Sequence, residues 1–277
     1  MDDFAEATGV SGQAKPRRYL WTDAFAVCNF LGLARQTGDG RYLRFAEVLV
    51  DQVHHVLGRH RADDFRRGWI SGLPNDEGER HPTLGGLRIG KPLNDRGPHE
   101  RADSRLEWER DGQYFHYLTR WMHALHRMSQ ETGDGRYQRW AAELAVAAHD
   151  AFTYAPVRGG PRRLVWKMSI DLTHPLISTM GQHDPLDGLI TFLELQPAGY
   201  GIDGGADLTA AIAEMTKMCA LGQWATRAGS KTQSLASIGS GRPRPHQKMD
   251  PALLAERGFV ANITNSSCSR LRRLPNT

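Results

Sequence analysis

The chain reads as an all-α protein of repeated antiparallel helical hairpins joined by long irregular loops. The first reason is a repeat: residues 37–49, TGDGRYLRFAEVL, return at 132–144 as TGDGRYQRWAAEL, offset by 95 positions with nine identities. The second is period. Apolar residues flanking each copy recur 3 and 4 apart, the spacing of one helix face. The third is turn chemistry: in TGDG, the first glycine can end a helix in the left-handed conformation and the aspartate can cap the next one. A turn that short sends the second helix back along the first.

Taken in order, residues 1–18 have two acids where an export signal needs positive charge, and no apolar run follows them. They are expected to be a flexible N-terminus. Residues 19–36 are apolar on nearly every side, through Leu20, Trp21, Ala24, Phe25, Val27, Phe30 and Leu31, which marks a buried inner helix. Residues 41–57 are two-sided, with Tyr42, Phe45, Ala46, Leu49 and Val53 opposite Arg41, Arg44, Glu47 and Asp51, as suits an outer helix. The second hairpin repeats the scheme, 111–130 inside and 137–152 outside. A weaker third pairs 187–196 with 207–221, and the main helical body spans 19–224. The connections 59–105 and 155–185 are rich in Gly and Pro, and the segment LVWKMSIDLTHPL in the second has the β-branched and apolar residues of a short strand. Loops of that length are usually functional or disordered, and Trp69 and Trp166 argue against disorder.

Beyond about residue 224 the helical pattern gives way to Ser, Gly, Arg and Lys. Residues 225–277 are expected to be a basic disordered tail, and the abruptness reads as an altered frame or a truncation. Residues 227–277 hold nine Lys or Arg against two Asp or Glu, a net +7, which leaves the rest of the +4 chain at −3. A body of that sign argues against nucleic acid as a partner. No stretch approaches the ~20 apolar residues of a membrane span, and Cys28, Cys219 and Cys268 are too few and too scattered for a disulfide framework. Both observations lead to the expectation of a cytoplasmic protein that does not bind membranes. If later helices are missing, apolar residues near 208–221 would be exposed and drive self-association.

Inner and outer helical hairpins with decorated loops on one side, and acidic and aromatic residues where the inner helices open, resemble the six-hairpin glycosidase-like superfamily. The resemblance covers roughly 19–221 and is one of architecture. It implies a partial or complete (α/α) toroid, and a carbohydrate-active enzyme of glycoside-hydrolase type. Such enzymes act on a small carbohydrate or uronic acid through two carboxylates, with aromatic rings beneath the sugar. The superfamily also contains sugar epimerases, in which histidines move the proton.

Asp23, Asp111 and Asp187 each stand where an inner helix is expected to open, in WTD, RDG and LDG, and are the candidate catalytic carboxylates. A capping role explains Asp23 and Asp187 equally well. Asp111 leads because Glu107, Trp108 and Glu109 precede it. Trp108, Glu109, Tyr114, His116 and Trp166 are candidate substrate contacts, joined by His183 and Asp184 from GQHDPLDG and by Arg88 from GGLRIGK. That last segment has the spacing of a phosphate loop, but Pro92 stands where Ser or Thr must hold magnesium. No cofactor is expected, and no metal, since His123 and His126 alone are close enough to share one. Two further readings stay open: an epimerase using His116 and His183, and a non-catalytic helical scaffold.

Overall fold

A computed structural model describes residues 1–221, except 104, 158, 178, 180, 182 and 197–205. The basic tail expected over 225–277 therefore lies outside the described residues. The helices are α1 (Asp2–Ala7), α2 (Leu20–Thr37), α3 (Gly40–Leu57), α4 (Asn75–Arg80), α5 (Phe115–Thr132), α6 (Gly135–Phe152), α7 (Asp184–Leu195) and α8 (Thr209–Ala220). Short strands β1 (Gln113–Tyr114), β4 (Lys167–Met168) and β5 (Pro175–Ile177) form one antiparallel sheet in the order β1-β4-β5, while β2 (Thr153–Tyr154) pairs with β3 (Arg163–Leu164). The fold is mostly helical.

The two TGDGRY segments build the same turn. Gly38 and Gly133 both sit at φ 71° and ψ 4°, and their N–H groups bond Ala34 and Ser129 carbonyls at 2.9 Å. Asp39 and Asp134 then each accept an N–H bond of 2.9 Å, from Arg41 and Arg136. Thr37 and Thr132 bond the carbonyls of Leu33 and Met128 at 2.7 Å, closing the preceding helix identically. Identical local sequence has produced identical local geometry.

Packing follows the inner and outer assignment of the first two pairs. Helix α2 packs on α3 and α5, α5 on α6 and α7, and α7 on α8. Leu20, Phe30, Phe115, Trp121, Leu125, Leu144 and Phe152 are fully buried in one continuous core. Full burial of each such side chain contributes about 1.5–3 kcal/mol.

Two expectations are corrected. The N-terminal segment is packed: α1 buries Ala5, Phe4 meets Phe30 at 6.3 Å between ring centroids, and Gln52 bonds the Gly9 carbonyl at 2.8 Å. Its short helix, six residues long, supplied too few apolar residues for a periodicity to show. The helix expected from residue 111 begins instead at Phe115, because Gln113 and Tyr114 pair with Met168 and Lys167 and Gly112 takes a φ of 144°. Along the segment 208–221, Leu208, Ala211, Met215 and Met218 are buried, while Leu221 is exposed.

The loops between hairpins are ordered by their own polar groups. Gln113 accepts from the Leu87 N–H at 2.8 Å and donates to the Gly85 and Ile170 carbonyls at 2.9 and 2.7 Å, joining both connections to β1. Leu87 and Ile89 are fully buried beside it, so GGLRIGK is a structural strap. No helix among the described residues is long and apolar enough to cross a membrane.

Candidate functional site

The sheet β1-β4-β5 sets the entrance to α5 and gathers the aromatic residues there. Tyr114 ends β1, His116 lies in the first turn of α5, and Trp166 precedes β4. Their rings are nearly parallel: Tyr114 to Trp166 is 5.0 Å at 25°, His116 to Trp166 is 6.0 Å at 9°, and Tyr114 to His116 is 5.5 Å at 27°. Trp108 meets Trp166 edge-on at 6.1 Å and is 61% exposed. Lys91 sits 5.6 Å from the Trp108 ring and 5.5 Å from the Tyr114 ring and donates to the Trp108 carbonyl. Trp21 and Tyr117 extend the cluster to α2, with Tyr19 and Tyr117 sharing a 2.8 Å hydroxyl bond.

His116 is held neutral. Burial, and then the charge of Arg120, push its imidazole down to about 3. The Trp166 indole N–H donates to His116 Nδ1 at 3.1 Å, so the neutral ring carries its proton on Nε2 and offers it as a donor. One turn further along α5, Arg120 pairs with Asp187 of α7 at 2.8 Å. Asp184 shares that first turn of α7. Burial, and then the Asp187 charge, push its carboxyl up to about 7. One of its oxygens, Oδ2, is buried and finds no hydrogen bond among the described residues, as suits a carboxyl carrying a proton.

Lys167 fixes the rim. Fully buried, it donates to the Glu107 and Arg110 carbonyls at 2.9 Å each and lies 5.4 Å from the Tyr114 ring. Burial lowers its ammonium to about 8. The turn that carries Trp108 is thereby tied to β4.

Scans against protein-family models and curated proteins return no match.

Each of the three expected catalytic aspartates is matched to its own arginine. Asp23 accepts from the Tyr19 N–H at 2.9 Å and lies 3.7 Å from Arg18, the arrangement of a helix cap. Burial pushes it up to about 7, against the pull of Arg18. Asp111 is fully buried and accepts from Arg88 at 2.7 Å, Gly90 N–H at 2.9 Å and Gly112 N–H at 3.1 Å, with Arg61 at 3.5 Å. That leaves it no face for a substrate. Arg88 is equally committed, donating also to the Arg59 and Val56 carbonyls at 2.7 and 2.6 Å.

Asp187 remains, joined by Asp184, whose role was expected to be binding. Trp108, Tyr114, His116 and Trp166 form one cluster as described. Glu109 is exposed beside it, and His183 is exposed at the N-cap of α7. His123 and His126 bond Glu194 at 3.0 Å and Gln138 at 2.8 Å, linking neighbouring helices. Two contributors were missed: Arg120, which is four residues after His116 and so on its face, and Lys167, a lone charge in an apolar run.

Proposed function

We propose that this chain is a carbohydrate-active enzyme of glycoside-hydrolase type whose acid/base pair is Asp184 and Asp187, and that its hairpins form part of an (α/α) toroid. The observation that carries the reading is the Asp184–Asp187–Arg120 group lying one helical turn from a parallel aromatic stack. Two carboxylates in contrasting environments are what glycoside cleavage needs. Asp184, protonated near neutral pH, gives its proton to the leaving oxygen. Asp187, paired with Arg120, either activates water or attacks the sugar carbon. The neutral His116 donates Nε2–H to a sugar hydroxyl, while Trp108 and Trp166 supply apolar faces for the ring. The toroid is supported by the contact order α2, α5, α7 among the inner helices, each with its own outer partner.

The epimerase reading asks a histidine to gain and lose a proton near neutrality, and an imidazole held down to about 3 counts against His116 in that role. A cytoplasmic setting belongs to the same proposal and is supported by the free thiol at Cys28. The test is turnover of a panel of aryl glycosides and unsaturated uronides. Wild type should cleave at least one, and Asp184→Asn and Asp187→Asn should each lower kcat by about 10²–10⁴. Inertness of the wild type on the whole panel would remove the hydrolase reading.

A further inference from the structure

A concavity opens between α3, α6 and the loop around α4, with a volume of about 360 Å³. That is within the usual range for small-molecule sites. His54, Tyr137 and Trp140 line it, with the carboxylates of Glu47, Asp51 and Glu79. The glycosidase reading uses none of these residues.

We propose that this cleft binds a hydroxylated organic cation of monosaccharide size, an ammonium group carried on a polyol frame. The charge is set by α3. Glu47 and Asp51 lie one turn apart, where like charges repel, and both act on the Tyr137 phenol, which burial chiefly raises. Glu79 is already answered by His55 at 2.7 Å and Arg59 at 3.0 Å, and Asp51 lies 3.3 Å from His55. Glu47 makes no hydrogen bond or ion pair among the described residues. A ligand ammonium would relieve that imbalance.

The aromatic walls favour the same sign of charge. The Arg136 guanidinium already lies 6.0 Å from the Tyr137 ring and 5.7 Å from the Trp140 ring, within cation–π range. Arg136 is 59% exposed and anchored to Asp134 at 2.7 Å, so it can yield those faces while keeping its own partner.

The polyol part follows from His54. Its Nε2 accepts the Trp121 indole N–H at 3.2 Å, which places the ring proton on Nδ1. That N–H has no hydrogen-bond partner among the described residues, and His54, only 3% exposed, lines the cleft. A ligand hydroxyl oxygen would satisfy the donor in place of water. Burial, with the neighbouring His55 charge, pushes His54 down to about 3, so it donates without placing a positive charge beside an ammonium.

Calorimetric titration of the full chain with glucosamine, glucose and tetramethylammonium, at mildly acidic pH where the amine is charged, tests this directly. Glucosamine should bind at least tenfold more tightly than either, the neutral sugar lacking the charge and the quaternary ion lacking the hydroxyls. The Glu47→Gln/Asp51→Asn variant should weaken glucosamine by on the order of tenfold. Both side chains are at the surface, and an unchanged melting temperature would verify that the variant folds. Equal binding of glucose, equal binding of tetramethylammonium, an unaffected variant, or no glucosamine binding would each overturn the proposal. None of these outcomes depends on turnover, so the two sites are judged separately.

Discussion

At the scale of single residues, burial sets the protonation states around α5 and α7, and its sign can be read in stability. The folded Asp184 carboxyl titrates near 7, against roughly 3.9 in an unfolded chain. Between those values the folded chain keeps a proton that the unfolded chain has lost. The associated stability is present below the unfolded value and is lost as pH rises through about 7. Asp23, raised to about 7 as well, acts in the same direction, so Asp184→Asn should lose less melting temperature than wild type between mildly acidic and mildly alkaline buffer, and Asp184→Asn/Asp23→Asn less again. An Asp184→Asn protein that loses as much as wild type over that range would contradict the buried, protonated carboxyl. His116 works in the opposite direction. Its folded value near 3 lies below the ordinary 6.5, so the unfolded chain binds the extra proton and stability rises with pH through that interval. His116→Gln should remove part of the acid sensitivity, measured by denaturant titration across the same pH range.

At the scale of elements, the repeated turn gives a matched pair of experiments. Gly38 and Gly133 share one left-handed conformation and have open space where a side-chain carbon would stand. The cost of adding a methyl is therefore conformational at both sites, roughly 1–2 kcal/mol. Gly38→Ala and Gly133→Ala should lower unfolding free energy by similar amounts, and Asp39→Ala and Asp134→Ala by about 0.5–2 kcal/mol each through loss of a cap. Very different costs at the two sites would mean that tertiary contacts dominate the turns. These elements were legible because their causes are local: the glycine, the cap and the apolar stripe lie within a few residues of each other. The start of α5 was not. Gln113 and Tyr114 become a strand because Lys167 and Met168, more than fifty residues later, offer backbone partners, and no periodicity near residue 113 reports a partner that distant.

The candidate site divides along the same line. Trp108, Tyr114, His116 and Trp166 were found because aromatic residues of unusual density announce themselves in sequence, and they do assemble. The carboxylates were harder, because an aspartate at a helix entrance looks the same whether it caps, pairs or reacts. Only the distribution of arginines separates those cases, with Arg18, Arg88 and Arg120 each taking one aspartate. That distribution is a property of the folded chain.

Over the scale of the helical domain, the pairing of Asp111 with Arg88 adds a polar link between the first hairpin and the second, beside the packing of α2 on α5. Arg88 reaches the end of α3 and the second residue beyond it through the Val56 and Arg59 carbonyls, while Asp111 gathers the N–H groups of Gly90 and of Gly112, which just precedes β1. The strap between them also receives the Leu20 N–H, at the start of α2, on the Ile89 carbonyl at 3.0 Å. Three helices are thus referred to one buried ion pair. Removing one partner of such a pair leaves the other charged and unanswered, at a cost of about 3–5 kcal/mol. Asp111→Asn should therefore lower the denaturant midpoint of the entire helical domain in a single cooperative transition. Asp187→Asn, whose ion pair with Arg120 is partly open to solvent, should leave that midpoint nearly unchanged while lowering kcat by about 10²–10⁴. The contrast is diagnostic: an Asp111→Asn protein as stable as wild type but inactive would return Asp111 to the chemistry and demote the pair on α7.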